Sequence, residues 1–134
     1  MPRGVALLAI LLLLILIGIA AAVGLHGPSD PDPARELVAF TGGDPDRGKE
    51  TIRQNGCPTC HVIAGISEAK GLVGPPLDHF ASRAYIGGVL PNMPANLVAW
   101  IRNPPGIDPM TAMPATGLSE AQARDAAAYL YTLQ

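Results

Sequence analysis

Two cysteines and a histidine stand close together in the run Cys57-Pro58-Thr59-Cys60-His61. On a helical turn, two thiols three residues apart project from one side, so each can form a thioether with a vinyl group of a haem. The next residue, His61, then lies under the iron and can supply an axial nitrogen. The spacing therefore predicts one covalently attached haem c, held through Cys57 and Cys60, with His61 as an iron ligand.

Other uses of a closely spaced cysteine pair fit the chain less well. A thioredoxin-like redox pair calls for a βαβ context, and no strand-rich run precedes Cys57. A structural zinc site usually needs four protein ligands, whereas the chain offers only His26 and His79 besides the motif and no second cysteine pair. A plain disulfide between Cys57 and Cys60 stays open in an oxidising compartment.

Iron in an electron carrier usually needs a second strong ligand, and a methionine thioether favours ferrous iron. Met93, Met110 and Met113 are the candidates that follow the motif. Met93 comes 32 residues after His61, and this stretch must also wrap one edge of the haem. Met113 comes 52 residues after His61, which is enough chain to cross from one face of the haem to the other. We expect Met113 to be the distal ligand, with Met110 as the alternative and Met93 as a packing residue.

The N-terminal segment is long and apolar enough to cross a membrane. Residues 5–23 contain 18 apolar residues in 19, and a helix of that length spans about 28 Å, close to the ~30 Å hydrocarbon core of a bilayer. Arg3 precedes it and acidic residues follow it, so the positive-inside rule places the rest of the chain outside. The alternative is a cleaved signal peptide ending near residues 20–22.

These features predict three parts. Residues 1–23 are expected to form an uncleaved single-pass anchor in a bacterial inner membrane, residues 24–43 a Pro-rich linker with a short helical piece near residues 33–40, and residues 44–134 a haem domain that faces the periplasm or the outside. The linker contains Pro28, Pro31 and Pro33, and Pro-rich segments are extended.

Composition narrows the class of protein further. The chain has 134 residues and a net charge of −2, which predicts one domain and no nucleic-acid partner. After residue 23, Leu, Ile, Val and Phe make up only 22 of 111 residues, close to the ~20% level below which chains tend to be disordered. We therefore expect a haem to complete the core.

Local signals predict an all-α domain with long loops. Asp44 as N-cap and Pro45 as first helical residue predict a helix that ends near Asn55. Ser119 and Gln122 form a capping-box pattern before an Ala-rich helix over residues 120–133. A third helix is predicted over residues 94–102 with Asn92 as candidate N-cap, and no alternating strand is predicted.

From Asp44 to Leu133 the sequence resembles the class I monohaem cytochromes c. Gly48 in the first helix and Tyr129-Leu130 in the last look like the family's crossing pair of terminal helices. The resemblance implies the cytochrome c fold, in which three to five helices wrap around one covalent haem.

The resemblance also implies roles for residues outside the cysteine motif. Gly74-Pro75-x-Leu77 is similar to the segment whose Pro carbonyl, here that of Pro75, accepts a hydrogen bond from the proximal histidine. Arg83 and Trp100 match family residues that contact the haem propionates. Met113-Pro114 matches the distal ligand loop.

Residues 87–104 are more specifically similar to the cytochrome c domain fused to subunit II of some bacterial haem–copper oxidases. This resemblance implies an electron-transfer protein without a small-molecule substrate, which takes single electrons from a quinol-oxidising complex and passes them to a terminal oxidase. A fixed haem subunit of a larger membrane complex is the alternative.

Overall fold

A computed structural model describes residues 2–25 and 32–134, which belong to two compact units that divide after residue 31. In the first unit, helix α1 (Pro2–Leu25) contains the stretch Arg3–Ala22, whose mean hydropathy of 3.2 is high enough for a membrane span. Its described side chains are exposed. A cleaved signal sequence would have the same properties, so retention of α1 as an anchor stays a prediction.

The second unit is mostly helical. Its elements are α2 (Pro33–Thr41), α3 (Pro45–Gln54), the single turn α4 (Cys57–Cys60), the two-residue strands β1 (Tyr85–Ile86) and β2 (Leu90–Pro91), α5 (Pro94–Arg102) and α6 (Glu120–Tyr131), with 3₁₀ turns at Phe80–Ser82 and Pro104–Gly106. The predicted N-cap at Asp44 and the capping box of Ser119 and Gln122 are both confirmed.

One local prediction is wrong, and the all-α prediction needs one addition. The domain is mostly helical, but β1 and β2 pair as an antiparallel hairpin. Gly87 and Gly88 both have positive φ, which lets the chain reverse there, and strands of two residues are too short to show an alternating pattern. Asn92 does not cap α5: the N-cap is Met93, without a capping side chain, and the Asn92 amide bonds elsewhere.

Helices α3 and α6 cross at Gly48, where a Cβ atom would overlap the backbone carbonyl of Asp125. Beside the crossing, the Arg47 guanidinium donates two hydrogen bonds to the Asp125 carboxylate at 3.0 and 2.9 Å, and the Asp44 amide donates a third at 2.7 Å. The hydrogen bonds from Arg47 lower the pKa of Asp125 below its ordinary value. A charged, largely buried carboxylate on α6 thus joins this helix to the start of α3.

The predicted linker over residues 24–43 is wrong in its second half. Asp32 caps α2 through the Ala34 amide, and Arg124 on α6 donates to the Thr41 carbonyl at 3.0 Å. Leu37 and Val38 pack against the core. Because this apolar pair lies on one face of a capped helix, α2 packs against the core. The second unit therefore begins at Asp32 rather than at residue 44. Residues 26–31 of the predicted linker lie outside the described residues.

The core of the second unit lies between α3, α5, α6 and the loops that join them. Two tyrosines of α6 connect this core to those loops: the Tyr129 hydroxyl donates to the Ala64 carbonyl at 2.7 Å, and that of Tyr131 donates to the Asn92 side-chain oxygen at 2.9 Å. Burial raises the pKa of Tyr131 to about 12, so it stays a donor at neutral pH. The loops around the cysteine motif are thereby fixed to the last helix.

Candidate haem site

The cysteine motif forms helix α4, a single turn. Gly56 has φ +77° and turns the chain from the end of α3 into α4. Cys57 and Cys60 are partly buried free thiols, and His61 follows in extended conformation. Burial raises the pKa of the Cys57 thiol. Thiol–disulfide oxidoreductases need the opposite shift, because the thiolate is their nucleophile.

A segment that we call the strap, residues 71–78, runs alongside the motif and is hydrogen-bonded to it repeatedly. The Gly71 amide donates to the Pro58 carbonyl at 3.2 Å, that of Gly74 to Cys60 at 2.8 Å and that of Leu77 to Val62 at 2.8 Å. The Asp78 carboxylate accepts from the Ala64 amide at 2.8 Å. The strap and the motif therefore form one rigid platform.

The ring of His61 is held by this platform. Its Nδ1 lies 2.7 Å from the Pro75 carbonyl, which makes Nδ1–H the donor and leaves Nε2 as the nitrogen that can face an iron. Gly74 lies so close to the ring that a Cβ there would overlap it. Two free thiols, an imidazole oriented for ligation and a glycine that makes room for it fit the attachment of a haem.

The three methionines after the motif differ in burial. Met113 precedes α6, is partly buried and packs against the core cluster. Met110 is 90% exposed and Met93 is 58% exposed. Of the three, Met113 alone packs against the core cluster.

The structure gives Arg83 and Trp100 well-defined protein contacts. The Arg83 guanidinium donates to the carbonyls of Pro76 and Asp78 and lies 5.4 Å over the Phe80 ring. Trp100 is buried on α5, and a Cβ at Gly87 would lie 2.5 Å from its ring. The roles of both side chains toward haem propionates stay predictions.

The part of the chain that the structure describes contains no cluster of side chains that could bind a metal ion without a haem. No group of three or more His, Cys, Asp and Glu side chains there could hold one. His79 is an exposed residue with φ +55°, and His26 lies outside the described residues.

Comparison with known proteins decides the family. The family model for cytochrome c matches residues 45–134, about two thirds of the chain. The chain belongs to the cytochrome c family. Cytochromes c bind haem covalently, and Cys57, Cys60 and His61 occupy the attachment motif. The protein is thus an electron-transfer haem protein, as predicted, and its fold is the mostly helical cytochrome c fold.

One curated relative gives a more specific similarity. The cytochrome is 34% identical over 90 residues to cytochrome c oxidase subunit 2 of Alkalihalophilus pseudofirmus. The match covers 66% of this chain but only 25% of the relative, so the chain spans about a quarter of that protein's length.

Sequence reasoning missed two positions in this cytochrome and gave a third, Asn92, the wrong role. Gly71, Asp78 and Asn92 fix the strap or the loop after it through backbone carbonyls and amides. Their partners are main-chain groups brought close only by the fold, so residue type alone carried no signal. Of these positions, Asp78 was the easiest to predict from the sequence, because it directly follows the Gly74-Pro75-x-Leu77 segment.

Proposed function

We propose that this cytochrome is a membrane-anchored carrier of single electrons, which accepts them from a quinol-oxidising complex and delivers them to a terminal oxidase. The iron of the bound haem cycles between Fe(III) and Fe(II). Helix α1 anchors the chain, and the haem domain faces the periplasm. The observation that carries the proposal is the similarity to an oxidase subunit over the part that includes the attachment motif.

The residues at the site support electron transfer rather than catalysis at the iron. We propose that Cys57 and Cys60 hold the haem, that Nε2 of His61 ligates the iron on one side, and that Met113 ligates it on the other. The Pro75 carbonyl fixes the His61 ring. Two protein ligands leave no open coordination position, so no small molecule is expected to bind or react there.

Substitution of the methionines tests the distal ligand. Met113→Ala removes the thioether that binds the iron, so we expect loss of the far-red sulfur-to-iron absorption band of the oxidised protein and a lower reduction potential. Met110→Ala is the matched control and should leave both unchanged, because its side chain is 90% exposed. A band that survives in Met113→Ala and disappears in Met110→Ala would show that the assignment is wrong.

Electron flow through native membranes tests the proposed role. With an inhibited terminal oxidase, addition of quinol should reduce the haem c of this chain, and release of the inhibition should reoxidise it. Deletion of the chain should slow quinol-dependent oxygen consumption, and re-expression of the wild type, but not of Met113→Ala, should restore it. Haem that is neither reduced by quinol nor reoxidised on release would contradict the proposed role.

A fixed haem subunit of a larger complex is the second candidate, because the matched region of the relative is part of an oxidase subunit. Purification from membranes in a mild detergent separates the two. A free carrier should elute alone or with only small and variable amounts of partner proteins. Constant stoichiometric partners would favour the fixed subunit.

A further inference from the structure

Arg83 is positioned at the strap rather than left free in solvent. One guanidinium nitrogen donates to the carbonyls of both Pro76 and Asp78, the latter at 2.9 Å. The guanidinium also lies over the buried Phe80 ring at 5.4 Å from its centre. Arginine suits this position because its guanidinium presents several donors in a fixed plane, whereas the lysine ammonium is a compact charge on a flexible stem.

The backbone of Arg83 is fixed as well. The Asn92 side-chain amide donates to the Arg83 carbonyl at 2.9 Å and to the Phe80 carbonyl at 3.0 Å. Tyr131 on α6 in turn donates to Asn92. The backbone from which the Arg83 side chain reaches the strap is thus fixed to α6 through Asn92.

The two carbonyls that Arg83 binds lie one and three residues after the one that His61 uses. Pro75 accepts from the His61 Nδ1–H, Pro76 and Asp78 accept from Arg83, and the Asp78 carboxylate accepts from the Ala64 amide. We propose that Arg83 is a positioning residue for the proximal ligand, which acts by fixing the strap so that the Pro75 carbonyl stays within hydrogen-bond distance of His61. This role rests on His61 being the iron ligand and differs from a direct contact to a haem propionate.

The proposal has a directional consequence for the reduction potential. A strong hydrogen bond from Nδ1–H increases electron donation by the imidazole and stabilises Fe(III). A loosened strap weakens that bond, so the potential should rise. Loss of the arginine charge alone would have the opposite effect, because a nearby positive charge stabilises Fe(II). The sign of the change in reduction potential therefore distinguishes a positioning role of Arg83 from a simple effect of its charge.

Two variant pairs isolate the positioning effect in the full-length haem-loaded protein. Arg83→Lys keeps the charge but loses the guanidinium that bonds the Pro76 and Asp78 carbonyls, and its potential should be higher than that of the wild type. Arg102→Lys, an exposed arginine at the end of α5, is the control and should show no shift. Asp78→Ala should have a higher potential than Asp78→Asn, because both lose the same charge but only Asn keeps a side-chain acceptor for the Ala64 amide.

Hydrogen exchange of the His61 Nδ1–H, measured by NMR on the same proteins, gives a readout that charge does not confound. Exchange should become about ten-fold faster in Arg83→Lys and in Arg83→Gln, as expected when a hydrogen bond of this kind is weakened. Unchanged potential and unchanged exchange in Arg83→Lys would overturn the proposal. If Arg83→Lys fails to bind haem, unchanged exchange in Arg83→Gln would overturn it. The NMR spectrum of the wild-type protein shows separately whether His61 binds the iron. Failure of the proposed function can therefore be told apart from failure of the positioning role of Arg83.

Discussion

Replacement of both Cys57 and Cys60 by alanine should leave the second unit largely unfolded after export. Its core is poor in large side chains, and several fully buried positions of α6 are alanines. Net folding stability is typically only about 5–15 kcal/mol, so loss of a large apolar group from the interior removes more than the remaining contacts can replace. The haem is thus expected to act as part of the core.

Far-UV circular dichroism and limited proteolysis of the purified full-length chain measure this effect. The double variant should lose most of the helical signal that the second unit contributes and should show no cooperative thermal transition. Thr59→Ala, in the same turn with both cysteines retained, should bind haem and melt like the wild type. A haem-free double variant with a native-like cooperative transition would refute the account of the core.

Substitution of Gly48 by alanine should cost about 3 kcal/mol of unfolding free energy, the upper part of the range for overpacked sites. In an exposed helix the same change stabilises by roughly 1 kcal/mol, because alanine is the better helix former. Here the added Cβ would overlap the Asp125 carbonyl, and main-chain atoms of α6 cannot rotate away. To relieve this overlap, α3 should move away from α6, which would disturb the ion pair of Arg47 with Asp125.

Thermal unfolding of the haem-loaded protein checks this prediction. A loss of about 3 kcal/mol corresponds to a fall in Tm of roughly 12–24 °C for a domain of this size. Lys49→Ala, an exposed neighbour on α3, should change stability by no more than about 0.5 kcal/mol. Equal or greater stability of Gly48→Ala would show that the two helices do not cross in contact at this residue.

The parts of the fold that depend on local signals were predictable from the sequence. Caps at Asp44 and Ser119 mark helix starts because the side chain bonds amides only two or three residues away. The cysteine motif is equally local, since its chemistry needs residues on one turn. The pairing of His61 with Pro75 was implied by family resemblance, and the structure shows that bond.

Features that depend on distant contacts were missed. The short helical piece predicted near residues 33–40 is confirmed as α2, but its docking through Arg124, more than 80 residues later in the chain, was not predicted. Asn92 has the residue type of an N-cap, yet its amide bonds carbonyls of the loop before the hairpin. In both cases the contact depends on tertiary packing, and one sequence alone does not reveal the partner.

The intact mass of the full-length chain purified from membranes, after denaturation and treatment with a thiol-alkylating reagent, tests the central claim most directly. We expect the polypeptide plus one haem, with no alkyl group added, because Cys57 and Cys60 are both used in thioethers. A mass that includes residues 1–22 would also show that the apolar segment is retained. A chain without haem that gains two alkyl groups would contradict the assignment of a covalent haem c to this site.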